Sequence, residues 1–169
     1  MDAPARARIL VIEDERPIQQ VLCFFLHSSG YDASGASNGQ EAMQAIVEFA
    51  PHLILLELEM RPVSGWDILN WLRANFASPP PVIVLSTLVN LKEQMHGFEE
   101  GAIDYITKPT QPSAIVERVR AILAMNQEQR GMLQRKRLDE QRKTLARLYS
   151  TQRDEFAYLP YQRGFEEKG

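Results

Sequence analysis

Between Arg8 and Ala124, short β-branched apolar runs alternate with longer stretches whose apolar residues recur at helical spacing, and this alternation limits the possible folds most strongly. Repeated βα units predict a parallel sheet, because parallel neighbours need long crossovers and those crossovers pack as helices on both faces. The strand candidates are residues 9–13, 31–36, 53–57, 82–86 and 104–107; the helices fall at 17–28, 39–49, 65–75, 91–100 and from 112 onward. Ile18, Val21, Leu22, Phe25 and Leu26 share one helical face, and Pro17 suits a first turn, where no amide partner is lost. Pro79, Pro80 and Pro81 force an extended entry into the fourth strand.

A chain of 169 residues, 44% hydrophobic and 24% charged, buries one ordinary core plus a modest appendage, which excludes a large multidomain enzyme. The formal charge of −3 makes the whole molecule neither a polyanion binder nor an acidic tail. No apolar run reaches the roughly 18 residues of a membrane span, and no secretory signal opens the sequence. A cytoplasmic protein without membrane contact is expected. Cys23, the single cysteine, cannot form an internal disulfide and is read as a small core hydrophobe on a helix.

Residues 8–124 form the expected domain, and residues 125–169 are a different object: ten Lys plus Arg against seven Asp plus Glu, whereas the preceding part is acidic. From Pro112 to about Tyr158 there is no internal proline and only Gly131 as a breaker, so the fifth helix is expected to run on beyond the globular part. Leu138, Leu145, Leu148 or Tyr149, Phe156 and Leu159 make a sparse stripe that suits helix pairing in a homodimer. An unpaired helix and a linker remain alternatives. Arg130, Arg135, Lys136, Arg137, Arg142, Lys143 and Arg147 outnumber Asp139 and Glu140, which admits nucleic-acid binding. The preferred reading of that run is a solvated helix face.

In an open parallel sheet, function collects at the carboxyl ends of the strands. The first strand ends in Glu13 and Asp14, the third in Glu57 with Glu59 two residues on, the fourth in Ser86 and Thr87, the fifth in Lys108 and Pro109. Four strands thus deliver carboxylates, hydroxyls and an ammonium to one edge. His27, His52 and His96 share no ligand spacing, and no glycine-rich phosphate loop is present.

The ordered segments ILVIEDE, SNGQEAMQAI, PHLILLELEM followed by Gly65, PVIVLS and GFEEGAIDYITKP resemble the receiver domain of bacterial two-component response regulators. The resemblance implies a flavodoxin-like, doubly wound sheet of five parallel strands in the order 2-1-3-4-5, here carrying a long C-terminal helical extension. It implies a signalling protein rather than an enzyme. It further implies that Glu13 and Asp14 are the acid pair that binds magnesium, with Glu57 and Glu59 beside them. Glu57 stands at the phosphoacceptor position, Ser86 and Thr87 at the hydroxyl positions, Lys108 with Pro109 at the phosphoryl-contacting lysine, and Tyr105 at the aromatic switch.

Glutamate in place of the family's aspartate is the departure that matters. Its extra methylene moves the carboxylate by about 1.5 Å, toward the place a phosphoryl group would occupy. A misplacement of about 1 Å can cost on the order of a hundredfold in rate, so ordinary phosphotransfer should be impaired. Glu57 instead offers a standing negative charge, a partial mimic with two acceptor oxygens where a phosphoryl group has three. A second departure puts Arg61 where the family has proline, with Pro62 following. Glu13, Asp14, Glu57 and Glu59 crowd like charge that Lys108 or a cation must balance. Either Mg2+ binds these acids, or Glu57 blocks a ligand position or pairs directly with Lys108.

The resemblance places partner docking, to a kinase or a downstream effector, on the fourth helix, fifth strand and fifth helix. The expected function is a stand-alone receiver signalling without phosphorylation, with Glu57 bonded to Ser86. A working phosphoacceptor that uses a carboxylate of the same pocket is the alternative.

Overall fold

The computed structural model describes residues 5–88 and 90–157, except the side chains of 154–157. Five strands, β1 (Arg8–Ile12), β2 (Asp32–Ala36), β3 (Leu53–Leu56), β4 (Val82–Ser86) and β5 (Asp104–Thr107), make one parallel sheet in the order β2-β1-β3-β4-β5. Six helices follow in chain order: α1 (Arg16–Ser28), α2 (Gly39–Phe49), α3 (Gly65–Asn75), α4 (Leu91–Glu99), α5 (Pro112–Leu123) and α6 (Gln127–Ala157). The flavodoxin-like arrangement is the one the sequence predicts.

Strand periodicity divides the core. Leu10, Ile12, Ile54, Leu56, Val82 and Val84 join the cluster that includes Ile46, Ile68 and Phe98. Ile9, Val11, Leu53, Leu55, Ile83 and Leu85 face the other way, onto Leu22, Leu26, Ile115 and Val119. Each such aliphatic side chain, fully buried, contributes roughly 1.5–3 kcal/mol, so both faces of the sheet must be covered. Local chemistry sets the helix starts: Asn38 and Asn90 accept from the amides of Glu41 and Lys92, and Ser64 with Asp67 forms a reciprocal capping box.

Two expectations need correction. The apolar face of α1 is narrower than its spacing suggests: Leu22 and Leu26 are buried, but Val21 and Phe25 are 46% and 38% exposed. One stripe at i and i+4 meets the sheet, which leaves the flanking positions on its edge. Nor does the fifth helix run on. It stops at Leu123, and a new helix starts at Gln127 after a sharp corner. Asn126 and Gln129 cap each other, with Asn126 Oδ1 accepting from the Gln129 amide at 2.8 Å and Gln129 Oε1 from the Asn126 amide at 2.9 Å. Arg130 Nε donates to the Ile122 carbonyl at 3.1 Å, tying the new helix to the end of the old one. The reciprocal cap satisfies two of the amides that a new helix start leaves without a partner, which offsets part of the cost of breaking the helix here.

After this corner α6 runs antiparallel to α4: Gln134 reaches the Phe98 carbonyl, Gln141 reaches Gln94, and Tyr149 lies under Lys92. Of the expected pairing stripe, Leu138 packs on the core and Leu148 is half exposed. Leu159 and the Phe156 side chain lie outside the described residues. Among the described residues, no helix is long and apolar enough to cross a membrane.

Candidate functional site

Parallel strands ending at one edge bring the chemistry together. Glu13 and Glu57 each follow the last residue of a central strand and are only 2% and 5% exposed, whereas Asp14 and Glu59 stand outside on the rim. Ser86 closes β4 and is fully buried; Lys108 follows β5 and reaches back over the sheet edge. Gly65, opening α3, lets that helix press against the chain just after β3. A Cβ there would stand 2.3 Å from the Glu57 carbonyl oxygen and 2.7 Å from Leu58 Cα.

Lys108 Nζ bonds to Glu13 Oε2 and lies 2.6 Å from Glu57 Oε2. Glu57 Oε1 accepts from the Ser86 hydroxyl at 3.0 Å and from the Glu59 amide at 2.9 Å. Glu13 Oε1 accepts from the Glu15 amide at 3.1 Å. Thr87 donates to Glu59 Oε2 at 2.9 Å, and the Lys108–Pro109 bond is cis.

One ammonium serves two buried carboxylates. Burial disfavours the Lys108 charge, but the hydrogen bonds to Glu13 and Glu57 outweigh it and push the lysine up, so it remains an ammonium. Burial raises the Glu13 carboxyl, and the shared ammonium and the Glu15 amide return only part of that.

Magnesium needs near-octahedral oxygens that are free to turn toward it. Here all four carboxylate oxygens of Glu13 and Glu57 are taken by protein donors, with Lys108 in the position of a cation between them. As arranged, Lys108 fills the place between Glu13 and Glu57, so a magnesium ion would be held from the rim, by Asp14 and Glu59 with the remaining lone pairs of the buried carboxylates. Of the alternatives open in the sequence, direct pairing of Glu57 with Lys108 is the one observed.

Tyr105 points inward, 8% exposed, and its hydroxyl donates to the Leu88 carbonyl at 2.9 Å. Gly97 of α4 makes room for it: a Cβ there would approach the Tyr105 ring to 3.3 Å. Burial, with Glu93, Glu57 and Glu59 as nearby negative charges, pushes the phenol up to about 12, against an opposing influence of the neighbouring Ser86 hydroxyl. Beside the acids, a cavity of about 560 Å³ opens between α1 and the chain after β5, lined by Asp14, Ile18, Leu22, Thr87, Pro109 and Ile115 among others.

These strand ends, in this order, are matched by the model of the response regulator receiver domain over residues 9–120. The chain belongs to that family. The receiver is 35% identical over 124 residues to the DNA-binding response regulator MtrA of Mycolicibacterium smegmatis, an alignment covering 73% of this chain and 54% of the relative. It spans about half the length of the curated relatives it matches. Among solved structures, it superposes on the receiver domain of the Francisella response regulator 1452 with a TM-score of 0.66 and 28% identity, covering 70% of this chain and 97% of that one. The BeF3-activated N-terminal receiver domain of Klebsiella pneumoniae RstA gives 0.65 at 25% identity, over 70% of this chain and 99% of that one.

One charged residue escapes sequence reasoning. Asp104, the first residue of β5, is fully buried. Its carboxylate accepts from the Tyr105 amide at 2.8 Å and Arg118 of α5 at 2.6 Å, and also bonds Arg137 of α6. An aspartate opening a strand carries no signal of its own; the arginines that hold it lie 14 and 33 positions away.

Proposed function

We propose that this receiver signals through protein docking without acquiring a phosphoryl group, because Glu57 supplies a standing anion in the pocket. The single observation that carries the reading is the pair of contacts on Glu57: the Ser86 hydroxyl on one oxygen and the Lys108 ammonium on the other. In the family the hydroxyl residue moves to the phosphoryl group and the aromatic turns in; the Ser86–Glu57 bond and the burial of Tyr105 support the same relation in this chain. A hydrogen bond to a charged group contributes roughly 1.5–3 kcal/mol, which biases a two-state equilibrium by about ten to a hundredfold. Acetyl phosphate with magnesium should leave the wild-type chain unlabelled, whereas Glu57→Asp, which restores the shorter acceptor, should become labelled. Robust acyl-phosphate formation at Glu57 would overturn the reading.

The relatives named as DNA-binding support a second reading, in which the basic side chains of α6 contact nucleic acid. Against it, Lys136 and Lys143 face Glu140 and Asp139 on their own helix. Salt titration with duplex DNA separates the two, since phosphate contacts weaken steeply with salt. Of the stripe expected to pair with a second copy, Leu148 and Tyr149 are half exposed, which supports pairing as an alternative use of the end of α6.

A further inference from the structure

The face made by α4, β5 and α5 is occupied by the chain itself. Over its first five turns α6 lies across it with Arg130, Leu133, Gln134, Arg137, Leu138 and Gln141 turned inward, a stripe at spacings of three and four.

The occupancy is specific but loosely packed. Asp104 is the specific element, a fully buried carboxylate bonded by Arg137. Around it the seam is polar: Gln134 Nε2 donates to the Phe98 carbonyl at 3.0 Å, Gln141 Nε2 to Gln94 Oε1 at 3.3 Å, and Arg142 stands 3.5 Å from Glu99. Gln141 Oε1 is buried with no partner among the described residues, a cost that lifting the helix removes. A cavity of about 250 Å³ remains in the seam, with Tyr105 and Phe98 on one side and Leu133 and Gln141 on the other. No described side chain of α6 is fully buried, whereas α5 buries Ile115, Val116, Val119 and Ile122. Asp104 would not be stranded by release, because Arg118 of α5 still holds it.

We propose that the α4–β5 surface is a helix-binding groove whose recognition element is Asp104. On this proposal α6 is its displaceable resident, and a partner helix enters by presenting an arginine in place of Arg137. The proposal rests on the reading of this face as the docking surface and adds to it what the surface recognises and what first covers it. The tyrosine forms part of the groove wall, so lifting α6 changes the surroundings of the same aromatic that answers to Ser86 and Glu57.

The test uses the full chain. Amide hydrogen exchange is compared between wild type, Arg137→Glu and Lys143→Ala, the last altering only the outer surface of α6. Arg137→Glu is expected to speed exchange by about tenfold across 91–99 and 127–149, the effect of losing one charge-assisted bond, with β1 and β3 unchanged. Lys143→Ala should match wild type. A fluorescent peptide of residues 127–149 should then bind the Arg137→Glu chain about tenfold more tightly than wild type, whose groove is filled. Unchanged exchange in α4 overturns the latch, and equal peptide binding to both chains overturns the groove. Should β1 and β3 also exchange faster, Arg137→Ala, which adds no repulsive charge, replaces it under the same criteria. Neither readout depends on Glu57, so labelling of that residue would remove the preceding reading and leave this one standing.

Discussion

One methylene separates Glu57 from the aspartate its position implies, and that length lets its carboxylate meet Lys108 and Ser86 without a phosphoryl group between them. The backbone beside it is as constrained as the side chain. Gly65→Ala would set a methyl group against the Glu57 carbonyl and Leu58 Cα, and backbone atoms cannot step aside as a flexible side chain can. That substitution should destabilise the domain by about 1–3 kcal/mol, read by denaturant unfolding. Tyr105 makes a pH-dependent prediction. Its phenol is pushed up to about 12 from the ordinary 10.0, so the folded chain holds a proton that the unfolded chain loses first. Stability should therefore fall as pH rises through that window, and Tyr105→Phe should flatten the fall in alkaline unfolding curves.

At the level of elements, the capping residues of the last corner are as informative as those of the core helices. Asn126→Ala removes the side chain that accepts from the Gln129 amide and should cost about 1 kcal/mol, with a matching loss of helical circular dichroism on heating. The five strands and the first five helices were legible because apolar periodicity and turn residues agree along the chain. So was the gathering of Glu13, Glu57, Ser86 and Lys108, since parallel strands all end at one edge. The corner at 124–126 has one local signal, the capping pattern Asn126-x-x-Gln129, and with no proline nearby to break the helix that signal is easily outvoted by the run of helix formers around it. The return of α6 onto α4 was not legible at all. Its seam is made of glutamines and arginines, and their partners are fixed only by tertiary placement.

For the molecule as a whole, the question is whether its pocket still answers to a phosphoryl-like ligand. Anything that binds only the folded state raises the melting temperature by mass action. Beryllofluoride with magnesium should leave the melting temperature of the wild-type chain unchanged, because the oxygens and the ammonium it would engage already bond one another. Glu57→Asp should melt higher on adding the same ligand. A rise for wild type in differential scanning fluorimetry would mean that the internal bonds yield to it. The antiparallel course of α6 has a geometric consequence of its own. Had α5 simply lengthened, everything after it would point away from the body; the hairpin instead carries the polypeptide back to the pole where the carboxylates lie. A dye attached near Tyr149 would sit beside the start of α4, at the same pole of the sheet as the acidic rim.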